Sequence, residues 1–343
     1  MKTGDAAQAA SPVPSSPTAR DGVRRTGGRS GPPSPWRQRL NRWDVRFSPY
    51  AYISPFFILF LIVGMFPLVY TAVVSVYDWD LIGGKGEFVG LQNYRDVLGN
   101  PYFVKSAVNT LSIFVLSSGP QIVIALGLAG LLDTALRGAT FWRMGVLLPF
   151  VVAPAAVAII FGSLFGDRYG LINQALEGIG LSGVPWHTDR LASHLAIATM
   201  VNWRWTGYNA LILLAAMQAV PRDLYDAAAI DGAGKVRQFL SITVPSIRPT
   251  VLFVVITSTI GGLQIFAEPR LFDTTLAQNG GSDRQFGTMT MLIYDFGWHL
   301  RDLGRAAATA WLLFLLIIVI ALVNYYASRR FGAIKAISRR GKR

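Results

Sequence analysis

Long apolar stretches, separated by shorter polar segments, run through the chain from about residue 50 to residue 328. Six of these stretches are long enough, at about 20 residues each, to cross the hydrocarbon core of a bilayer as α-helices. Prolines interrupt several of them, which membrane helices tolerate where neighbouring groups satisfy the freed carbonyl groups. The pattern therefore predicts an all-α, polytopic membrane protein with six transmembrane helices. The predicted spans are 52–77, 106–132, 141–166, 191–220, 250–266 and 306–327.

Both ends of the chain differ in composition from this apolar region. Residues 1–48 are rich in Ser, Pro, Gly, Ala and Arg and contain almost no large aliphatic residues, which predicts a disordered basic tail. The first apolar run starts only near Ala51 and is too long for the apolar part of a signal peptide. Residues 329–343 form a second basic tail. The predicted transmembrane domain is therefore 49–328, and its main polar loop, 221–249, joins the fourth and fifth spans.

Composition and charge indicate a membrane protein and predict which segments lie on each side of the membrane. Hydrophobic residues make up 52% of the chain and charged residues only 15%, whereas soluble domains carry about 25% charged residues. If the N-terminus lies inside, the inner segments carry 22 of the 32 Lys and Arg residues and the outer segments nine. This asymmetry predicts that both termini and the 221–249 loop are cytoplasmic. The net charge of +13 is then explained by basic residues on the cytoplasmic side, where they can interact with anionic lipid headgroups. No nucleic-acid partner is expected.

The polar loop 221–249 has the pattern of two short helices joined by a glycine elbow. Pro221 suits the first turn of a helix, because its missing N–H would have no partner there. Glycine then interrupts a run of good helix formers, and a later proline ends the second run. The predicted pieces are a helix over 224–231, an elbow at Gly232 and Gly234, and a helix over 235–243 that stops at Pro245.

This loop resembles the EAA loop of permease subunits in binding-protein-dependent ABC carbohydrate importers, the maltose, lactose and glycerol-phosphate type. The family pattern is Glu-Ala-Ala, three residues, Gly, nine residues and Ile-x-Leu-Pro. Here every spacing is kept, although Asp226 replaces Glu and Val244 replaces Leu. The segment Phe88 to Tyr94 also resembles the family's F-x-G-L-x-N-Y, and the likeness covers about 49–328. The loop residues identified in this way are Leu224, Tyr225, Asp226, Ala227, Ala228, Asp231, Gly232, Ala233, Phe239, Ile242 and Pro245.

The resemblance implies a type I importer permease fold in the cell membrane of a prokaryote. It also implies four kinds of partner: a second permease subunit, a dimer of ABC ATPase subunits, an extracytoplasmic sugar-binding protein and a sugar substrate. The loop would dock on the ATPase, and its apolar residues Leu224, Tyr225, Ala228 and Phe239 would fill a groove there.

The sequence contains no motif for chemistry of its own. It has no cysteine, its three histidines form no metal motif, and no Gly-x-x-x-x-Gly-Lys-Ser/Thr sequence occurs. We therefore expect no catalytic residue, no metal and no cofactor, with ATP hydrolysis supplied by a partner subunit.

Polar residues inside the apolar spans mark a possible substrate path, since such residues usually face a cavity or a partner helix. Four in the fourth span share one helix face, where amides and an indole would suit the hydroxyl groups and C–H faces of a sugar. The alternative is that they only join helices by hydrogen bonds. Arg204 points away from this face and is expected to pair with an acidic residue of another subunit. The candidate path residues are Asn202, Trp205, Thr206, Asn209, Ser258, Gln264 and Glu268.

Two other functions are compatible with a polytopic chain. An ion-coupled secondary sugar carrier would need acidic residues buried near the middle of the membrane, and the spans contain almost none, since Glu268 is expected to be peripheral. A membrane scaffold for an ATPase would keep the loop but would not need the polar face that includes Asn202 and Asn209. The sugar itself stays open among di- and oligosaccharides and glycerol phosphate.

Overall fold

The computed structural model describes the backbone of residues 35–134, 137–273 and 279–340, and side chains from residue 47 to residue 326 within those ranges. It divides into two compact units, residues 1–64 and 65–343. The described part of the first unit is helix α1, Pro35–Leu59, followed by most of a π-helical turn, Phe60–Met65. Residues 35–48 of the predicted tail lie in α1, and the bounds and disorder of the tail stay a prediction. The rest of the predicted tail lies outside the described residues.

The described residues of the second unit are mostly helical, which confirms the all-α prediction, and they include a small two-stranded hairpin. Its longest helices are α4, α8 and α15, and shorter helices and π-helical turns fill the connections. In order, its elements are α2 (Phe66–Val74), β1 (Tyr77–Asp80), β2 (Gly84–Phe88), α3 (Gln92–Gly99), α4 (Pro101–Leu132), α5 (Ala139–Val151), α6 (Pro154–Leu164), α7 (Leu171–Gly178), α8 (Arg190–Gln218), α9 (Asp223–Ile230), α10 (Lys235–Gln238), α11 (Val244–Ser246), α12 (Arg248–Leu263), α13 (Ala267–Phe272), α14 (Met289–Tyr294) and α15 (Leu303–Arg340), with π-helical turns at Phe239–Thr243 and Asp295–His299.

Within the described residues, three helical stretches are long and apolar enough to cross a membrane: Phe47–Val74, Pro101–Leu132 and Leu303–Tyr326. Two bent helix pairs, α5 with α6 and α10–α11 with α12, raise the number to five if each pair is one span. Helix α8 coincides with the predicted span 191–220 and has 29 residues, but it is not among these apolar stretches. The count of six spans stays a prediction.

Proline positions explain both bends. The predicted span 141–166 is broken by 88° between α5 and α6, and Pro154 is in the first turn of α6. Proline there has no N–H to continue the hydrogen bonds of the preceding helix, so a new helix direction can begin. The second bend, 72°, falls before α12, where Pro249 occupies the same early position.

The segment between α2 and α4, which includes residues 88–94, has a folded structure of its own. Strands β1 and β2 pair antiparallel, and the side-chain amide of Asn93 donates to the carbonyl groups of Ser75 and Tyr77, at 2.9 Å each. The Tyr94 hydroxyl group shares a 2.8 Å hydrogen bond with that of Ser75. Gly90 has a φ of +58°, a value that favours glycine. The segment 88–94 thus ties α3 to the end of α2.

The segment 272–305, which precedes the last long helix, is largely buried in its described part. Phe272, Phe286, Met289 and Leu292 are buried, and Thr288 is fully buried. Phe272 and Phe286 belong to a core cluster with residues of α4, α6 and α8. The apolar side chains of this segment are buried because α13 packs against α6 and α8, and α14 packs against α4 and α15.

Candidate functional site

The 221–249 loop has the predicted form of two short helical arms joined by an elbow. Its first arm is α9, which begins at Asp223 rather than at Pro221. Its second arm begins at Lys235 and continues through a π-helical turn to Ser246, so it does not stop at Pro245. The π-helical turn immediately precedes the last short helix, and such turns accommodate disruptions of the α-helical hydrogen bonds.

The elbow depends on the backbone of Gly232. Its φ is +77°, a conformation that costs a residue with a β-carbon about 1–2 kcal/mol. The N–H of Gly232 donates to the carbonyl group of Ala229 at 3.0 Å, and the N–H of Ala233 to that of Ala228 at 2.8 Å. An added β-carbon would meet no atom within 4 Å. Glycine is therefore required here by the backbone angle and not by lack of space.

Three side chains of the loop point into the chain's own core. Tyr225, Phe239 and Ile242 pack against a buried cluster formed by the ends of α4, α8 and α12 that lie nearest the loop. The hydroxyl groups of Tyr225 and Thr243 share a 2.9 Å hydrogen bond, which joins the two arms. The structure therefore does not support the prediction that Tyr225 and Phe239 face a partner.

A different set of apolar side chains faces outward. Leu224 is 48% exposed, Val236 74% and Ile230 88%, whereas Ala228 is only partly exposed. The side chain of Asp226 is exposed as well, and it lies in the first turn of α9, where an acidic residue interacts favourably with the helix dipole. Ile230 and Val236 lie on either side of the elbow, and the sequence motif had not identified them.

Three of the predicted path residues meet at a narrow cleft between α4, α8 and α12. The Asn209 amide donates to Gln121 Oε1 and to Ser258 Oγ, both at 3.0 Å. Trp205 contacts Phe150 edge to face, with ring centroids 5.1 Å apart. Side chains of both polar and apolar type line the cleft: Ser118, Gln121, Val201, Trp205, Thr257, Ser258, Gly261 and Gly262.

Three other predicted path residues do not line this cleft. The Thr206 hydroxyl donates to the carbonyl group of Asn202 at 2.6 Å and so bonds within its own helix. Asn202 Oδ1 is buried and has no hydrogen-bond partner within the described part of the chain. Gln264 is exposed at the end of α12. Gln121, at 2% exposure, is a cleft residue that the sequence analysis missed, although a glutamine inside an apolar run was a sufficient signal.

Arg204 and Glu268 form a buried ion pair within this chain. Arg204 Nη1 donates to Glu268 Oε1 at 2.8 Å, and the two side chains are 10% and 5% exposed. The expectation of an acidic partner on another subunit is therefore wrong, and so is the expectation that Glu268 is peripheral. The pair joins the middle of α8 to α13, because the chain folds back after α12 and brings α13 beside α8. The structure thus places Glu268 in a structural contact rather than at the cleft.

Neither part of the site has the donor set of a metal centre. Among the described residues, no group of three or more histidine and acidic side chains is arranged so that it could hold a metal ion. The cleft offers amide, hydroxyl and indole groups, which can bind uncharged polar molecules by hydrogen bonds and stacking. The loop offers an exposed apolar surface on a rigid elbow.

Comparisons with known proteins agree with this arrangement. A family model described as "Binding-protein-dependent transport system inner membrane component" matches residues 38–333. The arabinooligosaccharides transport system permease protein of Halalkalibacterium halodurans is 32% identical, over 82% of this chain and 88% of that protein. The lactose transport system permease protein of Rhizobium radiobacter is also 32% identical, over 85% of this chain and 97% of that protein.

A third relative and a solved structure extend the comparison. The sn-glycerol-3-phosphate transport system permease protein of Pectobacterium atrosepticum is 32% identical, over 81% of this chain and 92% of that protein. A chain in the crystal structure of a bacterial ABC transporter for import of the acidic polysaccharide alginate superposes with a TM-score of 0.70. It is 22% identical and the match covers 85% of this chain and 99% of that chain, so it shows a shared fold.

Proposed function

Since this chain belongs to the family of inner membrane components of binding-protein-dependent transport systems, we propose that it forms half of the path of an ATP-driven sugar importer. A second permease subunit completes the path, and an extracytoplasmic binding protein delivers the sugar. ATP hydrolysis takes place in a separate pair of subunits, which dock on the 221–249 loop. Both termini and this loop lie in the cytoplasm.

The observation that carries this proposal is the geometry of the elbow. Leu224, Ile230 and Val236 expose apolar surface at the two arms, and an exposed apolar group of this kind favours burial in a groove on a partner. The inward side chains of the same arms fix the elbow to the core of the membrane domain. An element that is apolar on its outer side and packed on its inner side is suited to pass a displacement from a partner to the helices.

A crosslinking experiment tests the docking directly. The natural chain has no cysteine, so Ile230→Cys introduces a single thiol on the exposed tip. We expect a short thiol-reactive crosslinker to join this variant to an ATP-hydrolysing subunit in intact cells. The matched control is Ile179→Cys, an isoleucine that is 75% exposed just beyond α7 in a predicted outer segment. Absence of any crosslink from residue 230, or an equal yield from residue 179, would contradict the proposal.

The cleft supports an uncharged di- or oligosaccharide as the substrate. Its lining includes Gln121, Ser258 and the indole of Trp205, and it contains no charged side chain. A phosphate or carboxylate group would need a cationic partner to offset its desolvation. Relatives of this chain carry the names of arabinooligosaccharide, lactose and glycerol-phosphate systems, and the lining favours the first two kinds of substrate.

Transport measurements separate a substrate path from a contact that only joins helices. We expect Trp205→Leu to reduce uptake of the sugar that the binding protein delivers while the complex still assembles. Trp203→Leu is the control, because Trp203 is 42% exposed on the same helix and does not line the cleft. If both variants import at the normal rate, the cleft is not the path. Calorimetry on the binding protein would identify the sugar.

The ion-coupled carrier now has one specific observation in its favour, since Glu268 is buried. However, the guanidinium group of Arg204 lies 2.8 Å from its carboxylate, and a fixed cation opposes the release and uptake of ions that a carrier requires. The two functions differ in energy source. Uptake that persists without ATP but stops when the proton and sodium gradients are dissipated would identify a carrier.

A further inference from the structure

We infer that the inner half of helix α4 receives the movement of the coupling loop (residues 221–249) through the contact between the Phe239 ring and Gly130. The inference rests on the proposed function and goes beyond it, since it names the helix that moves first. The loop is covalently attached to α8 and α12, whereas α4 is reached only through side-chain contacts.

The contact between Phe239 and Gly130 is unusually close. A β-carbon placed on Gly130 would lie 2.8 Å from Cε2 of the Phe239 ring and 3.4 Å from two further ring atoms. Real β-carbons do not approach ring atoms to 2.8 Å, so the ring can occupy this place only because residue 130 is glycine. Phe239 is thereby a positioning residue that fits into a notch on α4.

A second contact joins the same two elements. Arg222, at the start of the loop, lies 3.5 Å from a carboxylate oxygen of Asp133, the residue that ends α4. The Arg222 side chain is 63% exposed, so this ion pair contributes little energy by itself. Its place is informative, because the residue before the first arm and Phe239 of the second arm then both contact the end of α4.

The inner half of α4 also reaches the cleft. From Gly130 to Gln121 is nine residues, which spans about 13 Å along an α-helix. Gln121 accepts the hydrogen bond from Asn209 and lines the cleft. A tilt of this half-helix at its inner end would therefore change the cleft directly.

Pro120 supplies a place for such a tilt. It lies inside α4 immediately before Gln121, and proline removes the hydrogen bond to the carbonyl group four residues earlier. Helices bend most readily at such positions. The segment 121–132 can therefore move as a rigid piece against the outer half of α4.

Two glycines of α4 provide a matched pair of substitutions. In Gly130→Ala the new methyl group displaces the Phe239 ring from the notch, while in Gly127→Ala, one turn away, it meets no atom within 4 Å. Both changes raise helix propensity in the same way. Phe239→Ala removes the ring itself, and Phe239→Tyr retains it.

The experiment measures the movement in the complete importer complex, purified through a tag on this chain. Spin labels are placed at Val123→Cys in the inner half of α4 and at Phe253→Cys in α12, both exposed positions, in a chain without other cysteines. The distance between the labels is compared without nucleotide and with ADP and vanadate. A parallel sample with Ile230→Cys alone measures crosslinking to the ATPase subunit.

We expect the nucleotide-dependent change in distance to be present in the parent chain, Gly127→Ala and Phe239→Tyr. It should be lost in Gly130→Ala and Phe239→Ala, while the residue 230 crosslink is unchanged. A change in distance that persists in the last two variants would overturn the inference. The inference is also overturned if the residue 230 crosslink forms in the parent chain but is lost in those two variants. Phe239 would then position the docking surface rather than transmit the movement of the loop to α4. If no chain forms the crosslink, the proposed function fails and the inference with it.

Discussion

The buried ion pair between Arg204 and Glu268 gives a sharp prediction for stability. Replacing Glu268 by leucine removes the carboxylate and leaves the Arg204 guanidinium group buried without its counter-charge. Removal of one partner from a buried pair costs about 3–5 kcal/mol. Since the two side chains are only 10% and 5% exposed, solvent screens the remaining charge weakly and this full range applies.

Replacing both residues should have a smaller effect than replacing either one. Arg204→Met with Glu268→Leu removes both charges and fills the space with apolar atoms, and such replacements are often neutral or stabilising. The exposed pair of Arg222 and Asp133 provides the control, because Arg222 is 63% exposed and the two charged atoms are 3.5 Å apart. Arg222→Met should cost no more than about 1 kcal/mol.

Thermal denaturation of the purified complex, followed by size-exclusion chromatography after heating, measures these differences. At about 2 °C per kcal/mol for a chain of this size, Glu268→Leu should lower the midpoint by roughly 6–10 °C. The double variant should recover most of this loss. The reasoning is refuted if Glu268→Leu behaves like Arg222→Met, or if the double variant is as unstable as the single one.

Three further predictions concern other parts of the chain. Gly232→Val should abolish sugar uptake, because φ at this position is +77° and β-branched residues avoid it; uptake and residue 230 crosslinking measure the effect, and normal values would remove the elbow from the mechanism. Gly207→Ala should prevent accumulation of the folded chain, because its β-carbon would lie 1.8 Å from the carbonyl oxygen of Val146, whereas Gly145→Ala meets no atom within 4 Å and should accumulate normally in immunoblots. Two backbone N–H groups of the β1–β2 turn hold the pKa of the Asp80 carboxyl group below its usual value. Their hydrogen bonds to the carboxylate therefore stabilise the turn above about pH 4, and this stabilisation is lost as the pH falls through the lowered pKa. The protection factor of the turn amides, which is the exchange rate corrected for its intrinsic pH dependence, should then fall at low pH in the parent chain and differ little between pH values in Asp80→Asn.

The sequence predicted the apolar elements and the elbow well, because both depend on local patterns. Runs of apolar residues define α4 and α15, and proline positions mark where the predicted span 141–166 breaks. The elbow at Gly232 was predicted from the glycine that interrupts a run of good helix formers. These features are determined by neighbouring residues alone.

Contacts between distant segments could not be predicted in the same way. Arg204 and Glu268 are 64 residues apart, and only the return of α13 toward α8 makes them partners. The directions of Tyr225 and Phe239 also depend on how the elbow is oriented relative to α4. A helical wheel shows that an arm has an apolar side, but it does not show whether the core or a partner covers that side.

Helix α8 shows why hydropathy underestimates a helix that is surrounded by protein. Several of its polar side chains have partners on other elements of this chain: Asn209 bonds to α4 and α12, and Arg204 pairs with α13. His194 has its two ring nitrogens 2.9 Å from Ser112 Oγ and from the carbonyl oxygen of Gln285. A polar group with a fixed partner does not have to be hydrated, so the cost of placing it at membrane depth is largely offset. We therefore expect α8 to cross the membrane within a ring of other helices, where its hydrogen bonds, rather than contact with lipid, fix its position.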